Sequence, residues 1–505
     1  MTSLLEKFDP IPSVQQAPTV QVTATPGELA SIAGVADVVG LPVGTSGELP
    51  VGLKASRSGL AAAGFDGEVG QALMISPADG PPMVLYGVGQ PGEVDGAGLR
   101  NAAAALARAA EKQVRLAIML PQSAATTPED AAQSLVEGAL LARYHFGGLK
   151  RDNTAKLLGV LTLLAPAETV PAVERGVRRG QVFAAAAALA RDLANAPPSL
   201  LTATRMAECA QALAHEAGLE VRVYDKDELL AMGCGGLLGV NAGSADPPRM
   251  IRLTYRPQAG DAQKLTFVGK GIMYDSGGIS LKPADAVHAT MKNDMSGAGA
   301  ILAAMTALRR LDCPTAVTGY LMCTDNMPSG TATKLGDVLH IRGGTTVEVI
   351  NTDAEGRLVM ADALVLATEE PCDAIVDIAT LTGACMRALG VQIAGVFGND
   401  QQLIDQVSRA AEAVDEPVWQ LPLAHRYRKE LNSEIADIKN MGGPNGGAIH
   451  AALFLEEFVR GKPWAHIDIA GTAQNEKAAG WQTAGCSGFG ARLLIQLACD
   501  FTTAR

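Results

Sequence analysis

One stretch of the chain decides the fold: Val347-Glu348-Val349-Ile350-Asn351-Thr352-Asp353-Ala354-Glu355-Gly356-Arg357-Leu358. Its first four residues predict a strand, because β-branched residues dominate them. From Leu358 to Glu370 the apolar residues predict a helix. A strand that passes directly into a helix is typical of a sheet covered by helices, so this stretch predicts an α/β fold.

The same stretch carries chemical groups of interest. Asp353 and Glu355 are two residues apart, so on an extended segment their carboxylates would point the same way. Two like charges on one face repel unless a cation lies between them. Gly356 and Arg357 open the helix, and a helix N-terminus with an arginine suits a small anion. The alternative is a surface turn with solvated acids, which the strand leading directly into the segment disfavours.

A glycine-rich segment is the second candidate, Phe267-Val268-Gly269-Lys270-Gly271-Ile272-Met273-Tyr274-Asp275-Ser276-Gly277-Gly278-Ile279-Ser280-Leu281-Lys282. A strand is predicted to end at Lys270, with Asp275 and Lys282 in the loop that follows. Ligand sites of open α/β sheets gather at the carboxyl ends of strands. Gly277 and Gly278 would let the backbone approach a ligand or a metal closely.

A third segment places Asp294 just before a helix of small residues, in Met291-Lys292-Asn293-Asp294-Met295-Ser296-Gly297-Ala298-Gly299-Ala300. Two interpretations of Asp294 stay open. Its carboxylate could join the acids of the other two segments, or it could fill the N-cap position of the helix, as Asp often does. Taken alone, the residue favours the N-cap interpretation.

Charge balance connects the three segments. If they converge, four carboxylates would bring about −4 to one place, namely Asp275, Asp294, Asp353 and Glu355. Two divalent cations would balance that charge. Lys270 could then be neutral and act as a ligand, because nearby metal ions depress its pKa, while Lys282 and Arg357 would stay positive. Oxygen-rich ligands without cysteine fit Mg, Mn or Zn, so the residues alone do not select the metal.

The length of 505 residues predicts two or three domains. Residues 1–170 predict an α/β domain, in which apolar runs alternate with helical patterns such as Leu99 to Lys112. Its strand candidates are Ala72 to Ile75, Met83 to Tyr86, Leu116 to Leu120 and Leu158 to Leu164. The helical stretch over 171–195 is either a connecting helix or the last helix of the first domain. Residues 196–505 predict a second domain.

Strand signals are stronger in the second domain. They cover Met250 to Tyr255, Lys264 to Val268, Ala316 to Met322, Thr346 to Ile350, Ala374 to Ala379 and His466 to Ala470. Helices are predicted between them, for example over Gly297 to Arg310. This alternation predicts a second sheet covered by helices.

Composition excludes several classes of protein. Hydrophobic residues make up 48% and charged residues 19%, which is globular composition and not disorder. The net charge of −12 disfavours nucleic-acid binding as the main role. The N-terminal residues show no signal-peptide pattern, no apolar stretch is long enough for a membrane span, and the eight cysteines form no CxxC pair. We therefore expect a cytoplasmic protein with reduced cysteines and no membrane partner.

Together the three segments closely resemble the leucyl aminopeptidase family, the M17 class of cytosolic metallo-exopeptidases. The octapeptide Asn351–Leu358 and the pattern from Gly269 to Lys282 are its most specific motifs, and Asn326–Gly330 and Ala379–Ala384 support them. The resemblance implies two domains. These are a smaller N-terminal α/β domain and a larger C-terminal α/β/α metallo-exopeptidase domain with a mixed central sheet.

The resemblance also implies a role for each site residue. The tighter of two metal ions would be held by Lys270, Asp275, Asp294 and Glu355, and the more exchangeable one by Asp275, Asp353 and Glu355. Lys282 and Arg357 match the catalytic positions, with Arg357 holding a bicarbonate that serves as general base. Substrate-binding positions are matched by Met291, Thr380, Leu381 and Gly383.

The reaction implied by the resemblance is that of a hydrolase. A metal-dependent aminopeptidase, and thus a metalloprotease, would release N-terminal amino acids from peptides, with leucine and similar residues preferred. The nucleophile would be a hydroxide activated by two metal ions, which would be manganese or zinc, with magnesium as a further option. Members of the family are typically hexamers with active sites facing an internal cavity, which implies a homohexamer.

Two features depart from the family pattern. The interval from Lys282 to Asp294 is one residue longer than usual, which leaves Asp285 as a weaker competitor for the role of Asp294. Leu335 stands where the family generally has proline.

Two other functions stay open beside the aminopeptidase. Carboxylate-rich metal pairs also serve amidohydrolases and phosphoesterases. A non-catalytic hexameric scaffold or nucleic-acid binder could use the same fold. The intact set of charged residues argues against a scaffold, and the acidic net charge argues against nucleic acid as the main partner.

Overall fold

The computed structural model describes residues 8–25, 36–51, 53–76, 81–122, 125–152, 154–258, 260 and 262–503. The first seven residues, to which the signal-peptide prediction applies, lie outside the described residues. Two units are distinguished by their internal packing. The N-terminal unit comprises the described residues of Ile11–Ala188 and Glu476–Ala484, and the C-terminal unit comprises those of Met1–Pro10, Leu189–Asn475 and Gly485–Arg505.

A six-stranded sheet forms the centre of the N-terminal unit. Its strands are β1 (Thr19–Ala24), β2 (Val38–Val43), β3 (Ala72–Ile75), β4 (Met83–Gly87), β5 (Arg115–Met119) and β6 (Val160–Ala165). They lie in the order β1-β6-β5-β2-β4-β3, and only β3 and β4 pair in antiparallel fashion. The four predicted strands are confirmed. The sequence pattern missed β1, where polar and apolar residues alternate, and β2, which contains Gly40 and Pro42.

Within the described part of this unit, four α-helices precede residue 170: α1 (Pro12–Gln15), α2 (Arg57–Ala62), α3 (Gly96–Ala109) and α4 (Pro128–Ala142). The two long helices begin at capped positions. Asp95 accepts a hydrogen bond from Gly98 N–H at 2.7 Å, and Thr127 Oγ1 accepts one from Asp130 N–H at 3.1 Å. Their apolar residues are buried and form the main core of the unit together with strands β4 to β6.

The helical stretch predicted over 171–195 is one helix, α5 (Val170–Asn195). It ends just before Pro197 and Pro198, whose rings prevent a helix from continuing. Ala188 belongs to the N-terminal unit and Leu189 to the C-terminal unit. The domain limits expected at 170 and 196 stay predictions.

An eight-stranded mixed sheet forms the centre of the C-terminal unit. Its strands are β7 (Glu220–Tyr224), β8 (Arg249–Tyr255), β9 (Lys264–Asp275), β10 (Ala316–Asn326), β13 (Ala374–Ala379), β14 (Ala394–Gly398), β15 (Val418–Gln420) and β17 (Trp464–Asp468). Their order is β15-β14-β17-β13-β9-β10-β8-β7. The central strands β17, β13, β9 and β10 are parallel, whereas β8 and β14 flank them in antiparallel orientation. The expected mixed central sheet is confirmed.

Short strands and helices complete the C-terminal unit. A three-stranded sheet contains β11 (Val338–His340), β12 (Thr346–Glu348) and β16 (Ile438–Lys439), and a two-stranded one contains β18 (Gln474–Asn475) and β19 (Gly485–Cys486). The helices are α6 (Ala203–Ala217), α7 (Lys226–Ala231), α8 (Gly235–Asn241), α9 (Ser296–Ala307), α10 (Gly356–Glu369), α11 (Gly383–Leu389), α12 (Gln401–Ala413), α13 (Gly447–Glu456) and α14 (Ala491–Asp500). Among the described residues, every helix is too short or too polar to cross a bilayer.

The four parallel strands end along one edge of the sheet. Strand β9 continues to Asp275, so the prediction that it ends at Lys270 is wrong. The strand extends because it stays paired with β10, up to a pairing of Asp275 with Asn326. On the next strands, Ala379 pairs with Asp468. Polar residues at strand ends are thus brought together at the carboxyl edge.

Helix α9 lies close to the central sheet because its second residue is Gly297. A Cβ atom at this position would lie 2.1 Å from the carbonyl oxygen of Ile378 and 3.1 Å from the backbone nitrogen of Lys270. Both neighbours are backbone atoms of central strands and cannot move independently. At Gly299, in the same helix, an added Cβ would meet no atom closer than the terminal methyl of Met295, at 3.3 Å.

We expect Gly297→Ala to destabilise the protein by about 2 kcal/mol or more, because the methyl group would push α9 away from the sheet. Gly299→Ala is the matched control. It should be neutral or stabilising by up to about 1 kcal/mol, since alanine restricts the unfolded chain and favours the helix. Urea denaturation midpoints of both variants and the wild type provide the measurement. Equal midpoints for the two variants would contradict the close packing of α9.

Candidate active site

Lys270 lies within β9, and oxygen atoms enclose its ammonium group. Its Nζ is 2.8 Å from Oδ1 and 2.7 Å from Oδ2 of Asp294, and 2.8 Å from Oε1 of Glu355. The carbonyl of Thr380 accepts a further hydrogen bond at 2.9 Å. Gly356 leaves space for this arrangement, since a Cβ there would lie 2.5 Å from Lys270 Cε. The ammonium therefore joins β9 to three other segments in a buried position.

Lys282 forms a second group of ion pairs. Its Nζ is 2.7 Å from Oδ2 of Asp275 and 2.6 Å from Oδ1 of Asp353. The other oxygen of Asp275 accepts hydrogen bonds from Gly277 N–H at 2.9 Å and from Asn326 Nδ2 at 2.8 Å. The Asp275 side chain is 3% exposed and that of Asp353 is 35% exposed, so the cluster reaches solvent on the Asp353 side.

The paired glycines bring the backbone close to side chains of the site, whereas their predicted close approach to a ligand or a metal stays a prediction. Gly277 has φ +88° and Gly278 has φ +64°, values of the left-handed region that favours glycine. A Cβ on Gly277 would lie 2.8 Å from Oδ1 of Asp353, and one on Gly278 would lie 2.7 Å from Oδ1 of Asn326. Glycine at both positions lets the loop pass against the acidic residues.

The first and second predicted segments meet. Carboxylate oxygens of Asp275, Asp353 and Glu355 all lie within 4.8 Å of one another. The expectation that Asp353 and Glu355 face the same site is confirmed, but its reason is wrong. Glu355 has helical backbone angles, φ −78° and ψ −36°, so the segment is not extended at this residue. The turn into α10 brings the two carboxylates together.

The third segment joins the same cluster. Asp294 lies in a 3₁₀ helix, His288–Met295, and makes no side-chain capping bond to α9, so the N-cap interpretation is wrong. Its Oδ1 instead accepts a hydrogen bond from Thr380 Oγ1 at 2.6 Å. Asp285 is exposed and accepts hydrogen bonds from Val287 and His288 N–H at 3.0 and 2.9 Å. Asp294 and not Asp285 therefore contacts Lys270.

Burial is the largest influence on the pKa values of the carboxyl groups in the cluster. It raises the pKa of Asp294, Glu355 and Asp353, and neighbouring carboxylates add to the rise. Burial alone would lower the pKa of Lys270. The carboxylates of Asp294, Glu355 and Asp275 outweigh it and raise the pKa of Lys270 well above its usual value. In ion-pair contact with these carboxylates Lys270 is a charged counterion. Its expected role as a neutral ligand beside metal ions stays a prediction.

The donor set fits a divalent cation. With all four carboxyl groups ionised and both lysines protonated, the cluster carries an excess of two negative charges. Oε2 of Glu355 is buried and has no hydrogen-bond partner among the described residues. An unpartnered oxygen of this kind, beside other carboxylates, is the environment that Mg²⁺, Mn²⁺ and Zn²⁺ favour in proteins.

Arg357 lies at the start of α10, close to the cluster but outside its ion pairs. Its Nη1 donates a hydrogen bond to the carbonyl of Asn440 at 2.8 Å. Its Nε is buried and lacks a hydrogen-bond partner within the part of the chain that the structure describes. Burial lowers the pKa of Arg357 to about 10, although Glu355 and Asp468 counteract this effect. A buried guanidinium with an unpartnered N–H suits a small anion.

The predicted substrate-binding residues lie on two segments of the site. Met291 is half-buried on the 3₁₀ helix that carries Asp294. Thr380 contacts Lys270 and Asp294 directly, as described above. Leu381 donates its N–H to Oδ1 of Asp468 at 3.2 Å, and Gly383 is the first residue of α11. The structure thus joins Thr380 to the acidic cluster.

Sequence reasoning gave no site role to three polar residues, although one of them, Asn326, lies in a quoted motif. Asn326 donates its Nδ2 to Asp275 and to the Thr352 carbonyl. Asn440 is fully buried and donates its Nδ2 to the Asn351 carbonyl at 2.7 Å. Asp468 is 1% exposed. Each ends a strand or follows one directly, so a search for polar residues at strand ends would have found them.

Two family models match the chain. The catalytic domain of the cytosol aminopeptidase family matches residues 188–495. The N-terminal domain of the same family matches residues 54–153. The two matched ranges contain every residue of the site described above.

Curated relatives and solved structures agree with these matches. Probable cytosol aminopeptidases of Streptomyces avermitilis and Roseiflexus castenholzii are 46% and 44% identical, cover 87% of this chain, and are covered over 87% and 92% of their own lengths. That of Streptomyces coelicolor is 42% identical over 95% of this chain and 98% of its own. The bottromycin maturation enzyme BotP, solved in complex with Mn, is 38% identical, with a TM-score of 0.85 over 92% of this chain and 99% of its own.

We expect Asn326→Ala to weaken manganese binding by about 10- to 100-fold, because the Asp275 carboxylate would lose the amide that orients it. Asn241→Ala is the control. Asn241 is also buried, but it donates to the Asp246 carbonyl and to Thr324 Oγ1 and has no contact with the carboxylates. Titration with manganese, followed by calorimetry, measures both variants. Wild-type affinity in Asn326→Ala would contradict the positioning role of the amide.

Proposed function

The chain belongs to the cytosol aminopeptidase family of metal-dependent hydrolases, and we propose that it releases N-terminal amino acids from peptides, with leucine and similar residues preferred. The observation that carries this proposal is the convergence of Asp275, Asp353 and Glu355 within 4.8 Å. Lys270 and Lys282 lie beside them in ion-pair contact. No finding supports a phosphoesterase, a different amidohydrolase or a non-catalytic scaffold.

Two metal ions per subunit are proposed. Lys270, Asp275, Asp294 and Glu355 would hold one ion, and Asp275, Asp353 and Glu355 the other. One divalent ion would neutralise the excess negative charge of the cluster. A second would leave excess positive charge, which loss of the Lys270 proton and a bound anion would offset. Manganese is favoured by the similarity to BotP, solved in complex with Mn, and zinc and magnesium suit the same oxygen donors.

The metal ions, Lys282 and Arg357 have different proposed roles in the reaction. When bound, the metal ions acidify a water molecule and polarise the scissile carbonyl. Lys282 lies on the more exposed side of the cluster, 2.6 Å from Asp353, where its ammonium can stabilise the oxyanion that develops on the substrate. Arg357 would hold a bicarbonate, which when bound supplies a general base. The unpartnered Nε of Arg357 supports this assignment.

The proposed location and assembly of the enzyme are based on its relatives and its family. The relatives are named cytosol aminopeptidases, which supports a cytoplasmic location. Peptides are the substrates, and a homohexamer is the assembly that the family resemblance implies.

We expect Glu355→Ala to lose both bound metal and peptidase activity, because this carboxylate would contact both ions. Lys282→Ala should keep its metal and lose about 100- to 1,000-fold in kcat, the usual effect of removing one oxyanion donor. The matched controls are Glu369→Ala, at the far end of α10 from Glu355, and Lys264→Ala, an exposed lysine at the start of β9. Metal analysis and hydrolysis of leucine p-nitroanilide are the measurements. Full activity and metal content in Glu355→Ala would show that the site is misplaced.

Substrate class and metal dependence can be tested on the wild-type protein. We expect hydrolysis of leucine p-nitroanilide and no turnover of p-nitrophenyl phosphate. A chelator should abolish the activity by removing the ions, and manganese, zinc or magnesium should restore it to different extents. Turnover of the phosphate ester, or peptidase activity that survives complete metal removal, would contradict the proposed function.

A further inference from the structure

The buried carboxylate of Asp468 accepts four hydrogen bonds, and no function has yet been assigned to it. It ends β17, pairs in register with Ala379 of β13, and is 1% exposed. Its Oδ1 accepts N–H groups of Leu381 at 3.2 Å, Thr382 at 3.4 Å and Ala470 at 3.1 Å. All these groups lie at the carboxyl edge of the sheet.

The other oxygen of Asp468 is also engaged. Its Oδ2 accepts a hydrogen bond from Thr382 Oγ1 at 2.7 Å. The same hydroxyl accepts a hydrogen bond from Cys385 N–H at 3.0 Å and so caps α11. Asp468 thus controls the backbone of Leu381 and Thr382 and the start of the helix that follows.

Thr380, which directly precedes Leu381 and Thr382, is bonded to the acidic cluster. The carbonyl of Thr380 accepts a hydrogen bond from Lys270 Nζ at 2.9 Å, and Thr380 Oγ1 donates one to Asp294 at 2.6 Å. The short loop Thr380–Gly383 is therefore clamped between the acidic cluster and Asp468. No described contact joins the Asp468 side chain to Asp275, Asp353 or Glu355.

We infer that Asp468 is a positioning residue, which fixes the Thr380–Gly383 loop and thereby sets the selectivity for the side chain of the first substrate residue. This inference rests on the proposed function and on the match of Thr380, Leu381 and Gly383 to substrate-binding positions of the family. A carboxylate is suited to the task because its charge strengthens hydrogen bonds from several N–H groups at once. An asparagine keeps the shape but offers one acceptor oxygen and no charge.

The test compares Asp468→Asn with Asp377→Asn. Asp377 is a matched control because it is fully buried on the neighbouring strand and accepts hydrogen bonds from Trp464 Nε1 at 2.6 Å and His466 Nδ1 at 2.5 Å, away from the loop. We expect Asp468→Asn to raise KM for leucine p-nitroanilide about tenfold and to lower the preference for leucine over alanine p-nitroanilide, with bound manganese unchanged. Asp377→Asn should lower the denaturation midpoint and keep both KM and preference.

If Asp468→Asn does not fold, two variants of Thr382 test the positioning role of Asp468. Thr382→Val removes the hydroxyl that donates a hydrogen bond to Asp468. Valine has a similar shape and readily adopts the extended backbone angles of Thr382. We expect the same rise in KM and loss of preference, and recovery of most of both in Thr382→Ser.

The outcomes separate this inference from the proposed function. Wild-type protein without peptidase activity would refute the proposed function. Active wild-type protein with unchanged KM and preference in Asp468→Asn would overturn the positioning role alone. An equal change in Asp377→Asn, or equal KM values for Thr382→Val and Thr382→Ser, would also overturn it.

Discussion

One electrostatic constraint governs the C-terminal unit: four carboxylates lie together, and three of them, Asp275, Asp294 and Glu355, are buried. Isolated charges of this kind are strongly unfavourable, so each needs a counterion or a set of hydrogen bonds. Lys270 pairs with Asp294 and Glu355, and Lys282 pairs with Asp275 and Asp353. Because each ammonium connects segments far apart in the chain, the same charges that prepare a cation site also hold that site together. Removing one partner would leave the other charge buried and uncompensated.

Small residues make this concentration of charge sterically possible. Gly356 leaves room for the end of the Lys270 side chain, and Gly277 lets its loop pass against Asp353. Gly297 brings α9 against the backbone of the central strands, close to Lys270. A Cβ atom at these positions would collide with the Lys270 side chain, with Asp353 or with the backbone of the central strands.

Local sequence pattern was sufficient for the α/β class and for selecting Asp275, Asp353 and Glu355 as site candidates, but for Asp294 alone it favoured the wrong interpretation. It could identify the strand before Asp353, the helix after Arg357 and the paired glycines, because each depends on neighbouring residues. Features that depend on tertiary pairing were wrong or missed. The true end of β9 is set by its register with β10, and the contact of Asp294 with Lys270 is made across two segments. Asn440 and Asp468 escaped notice because a single polar residue after a short strand is ambiguous until its neighbours in space are known.

Thr380 belongs to both halves of the site, and this limits how the enzyme can vary. Its carbonyl and hydroxyl contact Lys270 and Asp294, while the next two residues are bound by Asp468. A change that moved Thr380 would disturb the buried charges as well as the substrate loop, and misplacement by about 1 Å can reduce catalysis about 100-fold. Asp468 binds Leu381 and Thr382, which are not bonded to the acidic cluster in the described contacts, so the proposed selectivity can be altered there with less penalty. The separation of these two anchors allows one charged centre to serve pockets of different shape.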